Sequence, residues 1–237
     1  MKILGIDSSG LVAGVAIEED GKLISEYMIR NKLTHSQTLL PMIDEMMATS
    51  KTPKEEIEAI AISEGPGSFT GLRIGAATAK GLAYGLGIPV IPVSSLLGLA
   101  FNLRLAGGVV CSIMDARRSE VYYGVYEYPE MIPQKLCDEG AAPIADLLER
   151  LLELNKRVIF VGDGVPVFCD TIREKMGAMA QFAPEELRYQ KASSIALIAE
   201  VLANEGTCEP DKFAPKYLRV SQAERERAEK ESQLAKS

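Results

Sequence analysis

Residues 2–17 read KILGIDSSGLVAGVAI and residues 109–126 read VVCSIMDARRSEVYYGVY. In each stretch an apolar run ends in an acid, Asp7 or Asp115, a short polar turn follows, and a second apolar run returns. Short runs rich in Ile, Val and aromatic residues, bounded by turn-forming residues, read as strands. The two stretches agree in layout more than in residue identity. That layout predicts an internal duplication of a strand–Asp–turn–strand unit.

Working outward from the first copy, Glu19-Asp20-Gly21-Lys22 is a hairpin turn and residues 23–30 form a third strand. Leu39, Met42, Ile43, Met46 and Met47 then recur at helical spacing, with Pro41 in the first turn, where a missing N–H is tolerated. Residues 57–62 form another strand. It leads into residues 63–87, SEGPGSFTGLRIGAATAKGLAYGLG, where Gly65-Pro66-Gly67 breaks the strand and Ser68 or Thr70 caps a helix to about Leu86. Gly71, Gly75, Ala79 and Ala83 fall four apart and make one small-residue stripe on that helix. Each glycine inside a helix costs roughly 1 kcal/mol against alanine, so a close contact should offset it. The stripe packs either on the chain's own sheet or against a helix of another chain.

Residues 88–93 form a short edge strand, because prolines interrupt it, and Ser94-Ser95 opens a helix over 96–105. After Gly107-Gly108 the second copy begins. Beyond it lie an amphipathic helix over 143–154 and a buried strand over 158–161 that ends in Gly162-Asp163-Gly164. Helices over 165–176 and 192–205 follow, the latter capped by Ser193 or Ser194, then an irregular segment over 207–222. Residues 223–237 carry balanced charge and no core face, so they read as disorder or a frayed helix. The division is an N-terminal lobe over 1–106, a C-terminal lobe over 107–190, a returning segment over 191–222 that packs on the N-terminal lobe, and the tail.

The chain has 237 residues, 47% of them hydrophobic, with a formal net charge of -7. That charge argues against broad binding to phosphate backbones. Cys111, Cys137, Cys169 and Cys208 are far apart with no C-x-x-C pair, as expected of reduced thiols in the cytoplasm. The first residues read as a strand rather than a signal peptide, and no stretch reaches membrane-span length.

Two acid-tipped turns suit a nucleotide held in a cleft between duplicated α/β lobes. The N–H groups and hydroxyls of such a turn can cradle a phosphate while the acid holds a metal ion or water. Asp7 can equally stabilise its own turn. Candidate acids are Asp7, Glu64, Asp115, Glu120 and Asp163. Residues 65–71 follow a strand and precede a helix, but lack the Lys-Ser/Thr of a P-loop and the third glycine of the dinucleotide fingerprint. His35 is the only histidine, no G-x-S-x-G elbow accompanies it, and zinc lacks a set of ligands. A lone histidine before a helix reads as a cap or a hydrogen-bonding loop residue.

Residues 3–9 (ILGIDSS), His35-Ser36-Gln37 ahead of Leu40-Pro41, residues 65–75 (GPGSFTGLRIG), 92–96 (PVSSL) and 215–219 (PKYLR) resemble the TsaB family. Its members take part in making threonylcarbamoyladenosine beside the anticodon of tRNA. The resemblance covers residues 1–222 and implies a two-lobed, duplicated α/β fold of the actin/Hsp70/sugar-kinase (ASKHA) type. It implies a subunit with no catalytic residues and no metal. That subunit pairs with the catalytic relative TsaD, joined in the complex by TsaE, forms a homodimer when alone, and meets tRNA only indirectly. No cofactor is implied for this chain alone, while ATP or ADP can sit at the complex interface. TsaD-type proteins hold metal through a His-x-x-x-His motif, and the matching positions here are Ser95 and Leu99. The implied interface is Leu39, Met42, Ile43, Met46, Gly71, Leu72, Gly75, Ala76, Ala79 and Ala83, on two helices. Asp7, Ser8, Ser9, Asp115, Gly162 and Asp163 would be vestigial nucleotide loops. The rival readings are an ATP-dependent enzyme of the same fold, using Asp7 and Asp115 around Mg²⁺, and a glycoprotease-like metallopeptidase.

Overall fold

The structure, a computed structural model, describes residues 1–31, 34–129, 133–203 and 206–219. The expectation for residues 223–237 lies outside them. The N-terminal half holds strands β1 (Lys2–Asp7), β2 (Ala13–Glu19), β3 (Lys22–Ile29), β4 (Ala59–Gly65) and β5 (Val90–Ser94), with helices α1 (His35–Ser50), α2 (Phe69–Leu86) and α3 (Ser95–Phe101). The C-terminal half holds β6 (Val109–Asp115), β7 (Glu120–Glu127), β8 (Gln134–Pro143), β9 (Val158–Val161) and β10 (Ala180–Phe182). Its helices are α4 (Ile144–Glu153), α5 (Val165–Met176), α6 (Glu185–Arg188) and α7 (Ala192–Leu202).

Two five-stranded sheets result, in the orders β3-β2-β1-β4-β5 and β10-β9-β6-β7-β8. Read from the matching ends, the orders are the same. In each, the strand tipped by the acid pairs antiparallel with its returning neighbour and parallel with the strand beyond the first helix. The duplication predicted from residues 2–17 and 109–126 is therefore present in topology. The first hairpin turns at Asp20 and Gly21, both at positive φ, as a two-residue turn between twisted strands requires.

Side-chain alternation then builds three cores. On β1, Leu4 and Ile6 point to a cluster under α1 and α2, whereas Ile3 points to the opposite face. On β6, Cys111 and Ile113 join a cluster with α4 and α5, whereas Val110 and Met114 join the central one. The central cluster holds α3 and α7 between the two sheets. β4 carries large residues outward, Ile60 and Ile62, and small ones inward, Ala59 and Ala61. That small inner face lets α7 lie close. A Cβ on Gly5 would sit 2.5 Å from the Ala192 carbonyl oxygen and 3.0 Å from Ala196 Cβ.

Several local expectations change. β8 and β10 are additional strands. β8 is an exposed edge carrying Lys135 and Asp138, charges that protect an edge from pairing and also erase the apolar alternation. α7 has Lys191 at its cap position with no side-chain cap bond, and Ser193 and Ser194 are buried in its first turn. Ser68, not Thr70, caps α2, its hydroxyl accepting the Gly71 N–H at 3.2 Å.

The largest correction concerns the implied interface. Leu39, Met42, Ile43 and Met46 of α1, and Gly71, Leu72, Gly75, Ala76, Ala79 and Ala83 of α2, are all buried within this chain. Ala79 and Ala83 are fully enclosed in the cluster over β1, β2 and β4. A Cβ on Gly71 would meet the Ser8 carbonyl oxygen at 2.1 Å, and one on Gly75 the Ser8 hydroxyl at 2.2 Å. The stripe exists because the helix start lies on the β1–β2 turn, so its glycine cost is repaid inside one lobe.

A contrast between two glycines tests this. Gly71→Ala forces backbone apart and should lose about 1–3 kcal/mol in urea unfolding. Gly81→Ala, where no atom lies within 4 Å of the added Cβ, should be neutral or gain up to about 1 kcal/mol. Equal effects from the two changes would contradict the packing assignment.

Candidate functional site

The β1–β2 turn is built first by its own acid. Asp7 is buried, and its carboxylate accepts the Ser9 N–H at 2.9 Å and the Ser9 hydroxyl at 2.7 Å. This is the local turn that Asp forms readily. Burial holds the Asp7 carboxyl above the usual carboxylate range, despite those two bonds. Ser8 donates its hydroxyl to the Gly71 carbonyl at 2.9 Å, and the Ser9 carbonyl accepts the Ser68 N–H at 2.7 Å. The turn is therefore clamped to the start of α2. His35, the first residue of α1 and not a loop residue, meets the Gly10 carbonyl through Nε2 at 3.0 Å, and the cap position falls to Thr34.

The corresponding β6–β7 turn is built differently. Arg117, Arg118 and Ser119 all have positive φ, at 66°, 57° and 60°. Non-glycine residues held there cost about 1–3 kcal/mol each and persist only where neighbours over-determine them. Glu120 N–H bonds the Arg117 carbonyl at 3.1 Å, Ala116 N–H the Glu120 carbonyl at 3.0 Å, and Ile144 N–H the Ser119 carbonyl at 3.1 Å. Asp115 accepts the Arg117 N–H at 2.8 Å and pairs with its guanidinium at 3.2 Å.

Between the two turns lies a cleft of about 530 Å³. The N-terminal lobe lines it with residues 9–11 and 66–69, the C-terminal lobe with residues 114–118, Tyr122, Asp163 and Val167, and the chain's last described segment with residues 216–219. Of the six loop residues singled out from the sequence, Ser9, Asp115 and Asp163 line this cleft. Asp7 and Ser8 are buried and not on its wall. Gly162 is buried at a φ of 110°, where an added Cβ would meet the Ile113 carbonyl oxygen at 2.1 Å. Its freedom serves the approach of β9 to β6. Asp7 and Asp115 therefore do not face each other across the cleft as a two-acid Mg²⁺ site would require.

The cleft brings cations together instead. Arg117, Arg118, Lys216 and Arg219 line it against Asp115 and Asp163. Sequence reasoning missed this because Lys216 and Arg219 lie about 100 positions from the arginine turn. Asp163 accepts the Asp115 N–H at 3.3 Å, and burial with the nearby Asp115 charge pushes its carboxyl up to about 6. Among the described residues there is no group of three or more His, Cys, Asp or Glu placed to hold a metal ion. All four cysteines are free. No helix is long and apolar enough to cross a membrane among the described residues.

A second surface lies on the outer side of α1 and α2. Arg73, Ala77, Gly81 and Gly85 make an exposed row on α2, and nothing lies within 4 Å of a Cβ added at Gly81 or Gly85. Tyr84 is 75% exposed beside that row, and Leu40 on the neighbouring α1 is 49% exposed. Both are large apolar side chains left in water on these two helices.

The Asp163 carboxyl gives a pH prediction. Its folded pKa is raised above the unfolded value, so ionisation opposes folding above about pH 6, and the opposition is relieved as pH falls toward the unfolded value. Asp163→Asn should therefore be more stable than the parent at pH 7, with the difference shrinking toward pH 4. Chemical unfolding across that range checks it, and a difference that grows on acidification would contradict the assignment.

The family model described as "TsaD: tRNA N6-adenosine threonylcarbamoyltransferase" matches residues 23–227. A Bacillus subtilis protein named tRNA threonylcarbamoyladenosine biosynthesis protein TsaB is 31% identical over 224 residues, 94% of this chain and 96% of its own length. A crystal structure of a Pseudomonas aeruginosa protein, described as similar to peptidase YeaZ, superposes with a TM-score of 0.78 at 26% identity. It covers 92% of this chain and 99% of that one. A hexokinase of the ROK group from Thermus thermophilus shares the fold alone, with a TM-score of 0.51 at 12% identity, over 87% of this chain and all of that one. The two-lobed duplicated fold is thus of the sugar-kinase type, and the chain belongs to the TsaB family.

Proposed function

We propose that this protein acts in tRNA threonylcarbamoyladenosine biosynthesis as a non-catalytic subunit that binds and supports TsaD, with TsaE in the same complex. The observation that carries the non-catalytic part is the fate of the positions aligned with the His-x-x-x-His motif. Ser95 and Leu99 lie in α3, 0% and 1% exposed, and Leu99 belongs to the central core between the sheets. Neither side chain can offer an imidazole. Imidazoles there would have to enter a packed interior, where polar rings cost free energy unless bonded. The name of the Bacillus subtilis relative supports the pathway. The net charge of -7 supports indirect contact with tRNA through the partner.

The partner surface in this reading is the exposed outer side of α1 and α2, not the buried stripe. Ala77, Gly81 and Gly85 allow close helix approach, while Leu40 and Tyr84 supply apolar area at its margin. The same surface would carry the homodimer when TsaD is absent, and ATP or ADP would belong to the assembled complex. Helix pairs that meet over small residues gain dispersion from close backbone contact, and a bulky charge there breaks the fit.

Co-expression with TsaD tests the reading. Ala77→Arg and Gly81→Glu should each weaken co-purification by at least about tenfold while the monomer keeps its unfolding midpoint. Reconstitution of the modified nucleoside with TsaD and TsaE should require the parent chain and fail with these variants. Full binding by both variants would falsify the surface assignment. Product formed without this chain would overturn the supporting role.

A further inference from the structure

Residues 216–219 of the PKYLR motif line the cleft, and Tyr217 touches the exposed row of α2 at Arg73. The chain reaches the motif along the N-terminal lobe. Cys208 forms a bridge to Val90 at the edge of β5, and Phe213 is buried in the core under α2. Lys80 of α2 donates to the Phe213 carbonyl at 3.1 Å. The Lys216 N–H then bonds the Glu64 carbonyl at 2.7 Å, at the end of β4. Gly65 has a φ of 121°, and a Cβ there would sit 2.4 Å from the Lys216 carbonyl oxygen. The backbone of β4 is thus shaped to admit this segment. The Tyr217 ring packs on Phe69 at 5.0 Å, and its hydroxyl accepts from Arg73 Nε at 3.2 Å.

Two residues later the chain changes lobe. Arg219 donates to the Ala116 carbonyl at 3.2 Å and forms an ion pair with Glu120. The two partners are 18% and 31% exposed, so the pair is partly shielded from water. Ala116 and Glu120 are the residues that flank Arg117, Arg118 and Ser119, the three held at positive φ. One guanidinium therefore closes the cleft and braces the turn on its far side.

We infer that residues 216–219 are an intramolecular strap that holds the two lobes together across the cleft. Lys216 and Tyr217 are its fixed end on the N-terminal lobe. The Arg219 contact with Glu120 and Ala116 is its releasable end on the C-terminal lobe. Release of Arg219 frees the 116–120 turn, widens the cleft and leaves the exposed Arg117 and Arg118 free to move. The strap sits on the surface, apart from the three cores, so its release leaves the lobes folded. Its releasable end is ionic, so added salt weakens it.

Charge reversal with rescue tests the strap in the full chain. In Arg219→Glu, hydrogen–deuterium exchange should rise about tenfold over residues 115–122, and trypsin should cut faster after Arg117 and Arg118, while β1 and β9 keep parent exchange. Adding Glu120→Arg to that variant should restore slow exchange and the parent's slow cleavage after Arg117 and Arg118. Exchange unchanged in Arg219→Glu, or no recovery in the double variant, overturns the strap. Arg219→Gln covers a reversal that unfolds the chain. It should show a smaller rise confined to the same residues, and a rise shared equally by β1 and β9 also overturns the strap.

Discussion

The contact of the β1–β2 turn with the start of α2 organises the N-terminal lobe. Three glycines make it. Gly67, Gly71 and Gly75 each face Ser8 or Ser9 at distances that leave no room for a Cβ, at 2.2, 2.1 and 2.2 Å. Around them, Ser68 N–H meets the Ser9 carbonyl, and the Ser8 hydroxyl meets the Gly71 carbonyl. Asp7 supports this arrangement from below by holding the turn closed. A group that folds like a phosphate-binding loop is in this chain consumed by its own helix. The same closeness brings α2 down on β4 and sets which side of the helix is left for solvent.

The two lobes share a topology and have diverged in what their turns do. In the N-terminal lobe the turn is buried and held by serine hydroxyl and backbone hydrogen bonds. In the C-terminal lobe it projects two arginines into the cleft from a backbone that only its surroundings sustain. The returning helix α7 couples the halves, because it leaves the second sheet's sequence and packs on β1 and β2 of the first. Small residues along Gly5, Ala59 and Ala61 make that crossing possible.

How much was legible depended on whether the signal was local. Strands that end in Asp7 and Asp115 and the Asp20-Gly21 turn are local patterns, and each is where the sequence places it, while the α2 cap falls on Ser68, one of the two candidates the sequence offers. β8 was not legible, because an exposed, charged edge strand has neither alternation nor an apolar run. The face of α2 was legible as a stripe but not in direction. Gly71/Gly75/Ala79/Ala83 and Ala77/Gly81/Gly85 are both small-residue rows on one helix, and composition cannot say which one meets the sheet.

The sequence alone determined the duplicated α/β plan, the order of most elements and the family resemblance. All three rest on short-range periodicity, turn chemistry and contiguous motifs. Only the tertiary structure decided that the first glycine stripe is internal, that Asp7 is spent on its own turn, and that Arg219 meets Glu120 across the cleft. The first and third depend on contacts between residues tens to a hundred positions apart, and the second on the packing that buries a contact two positions long. Such distances are set by how sheets and helices pack, and the residues at each end of a contact carry no local mark of their partner.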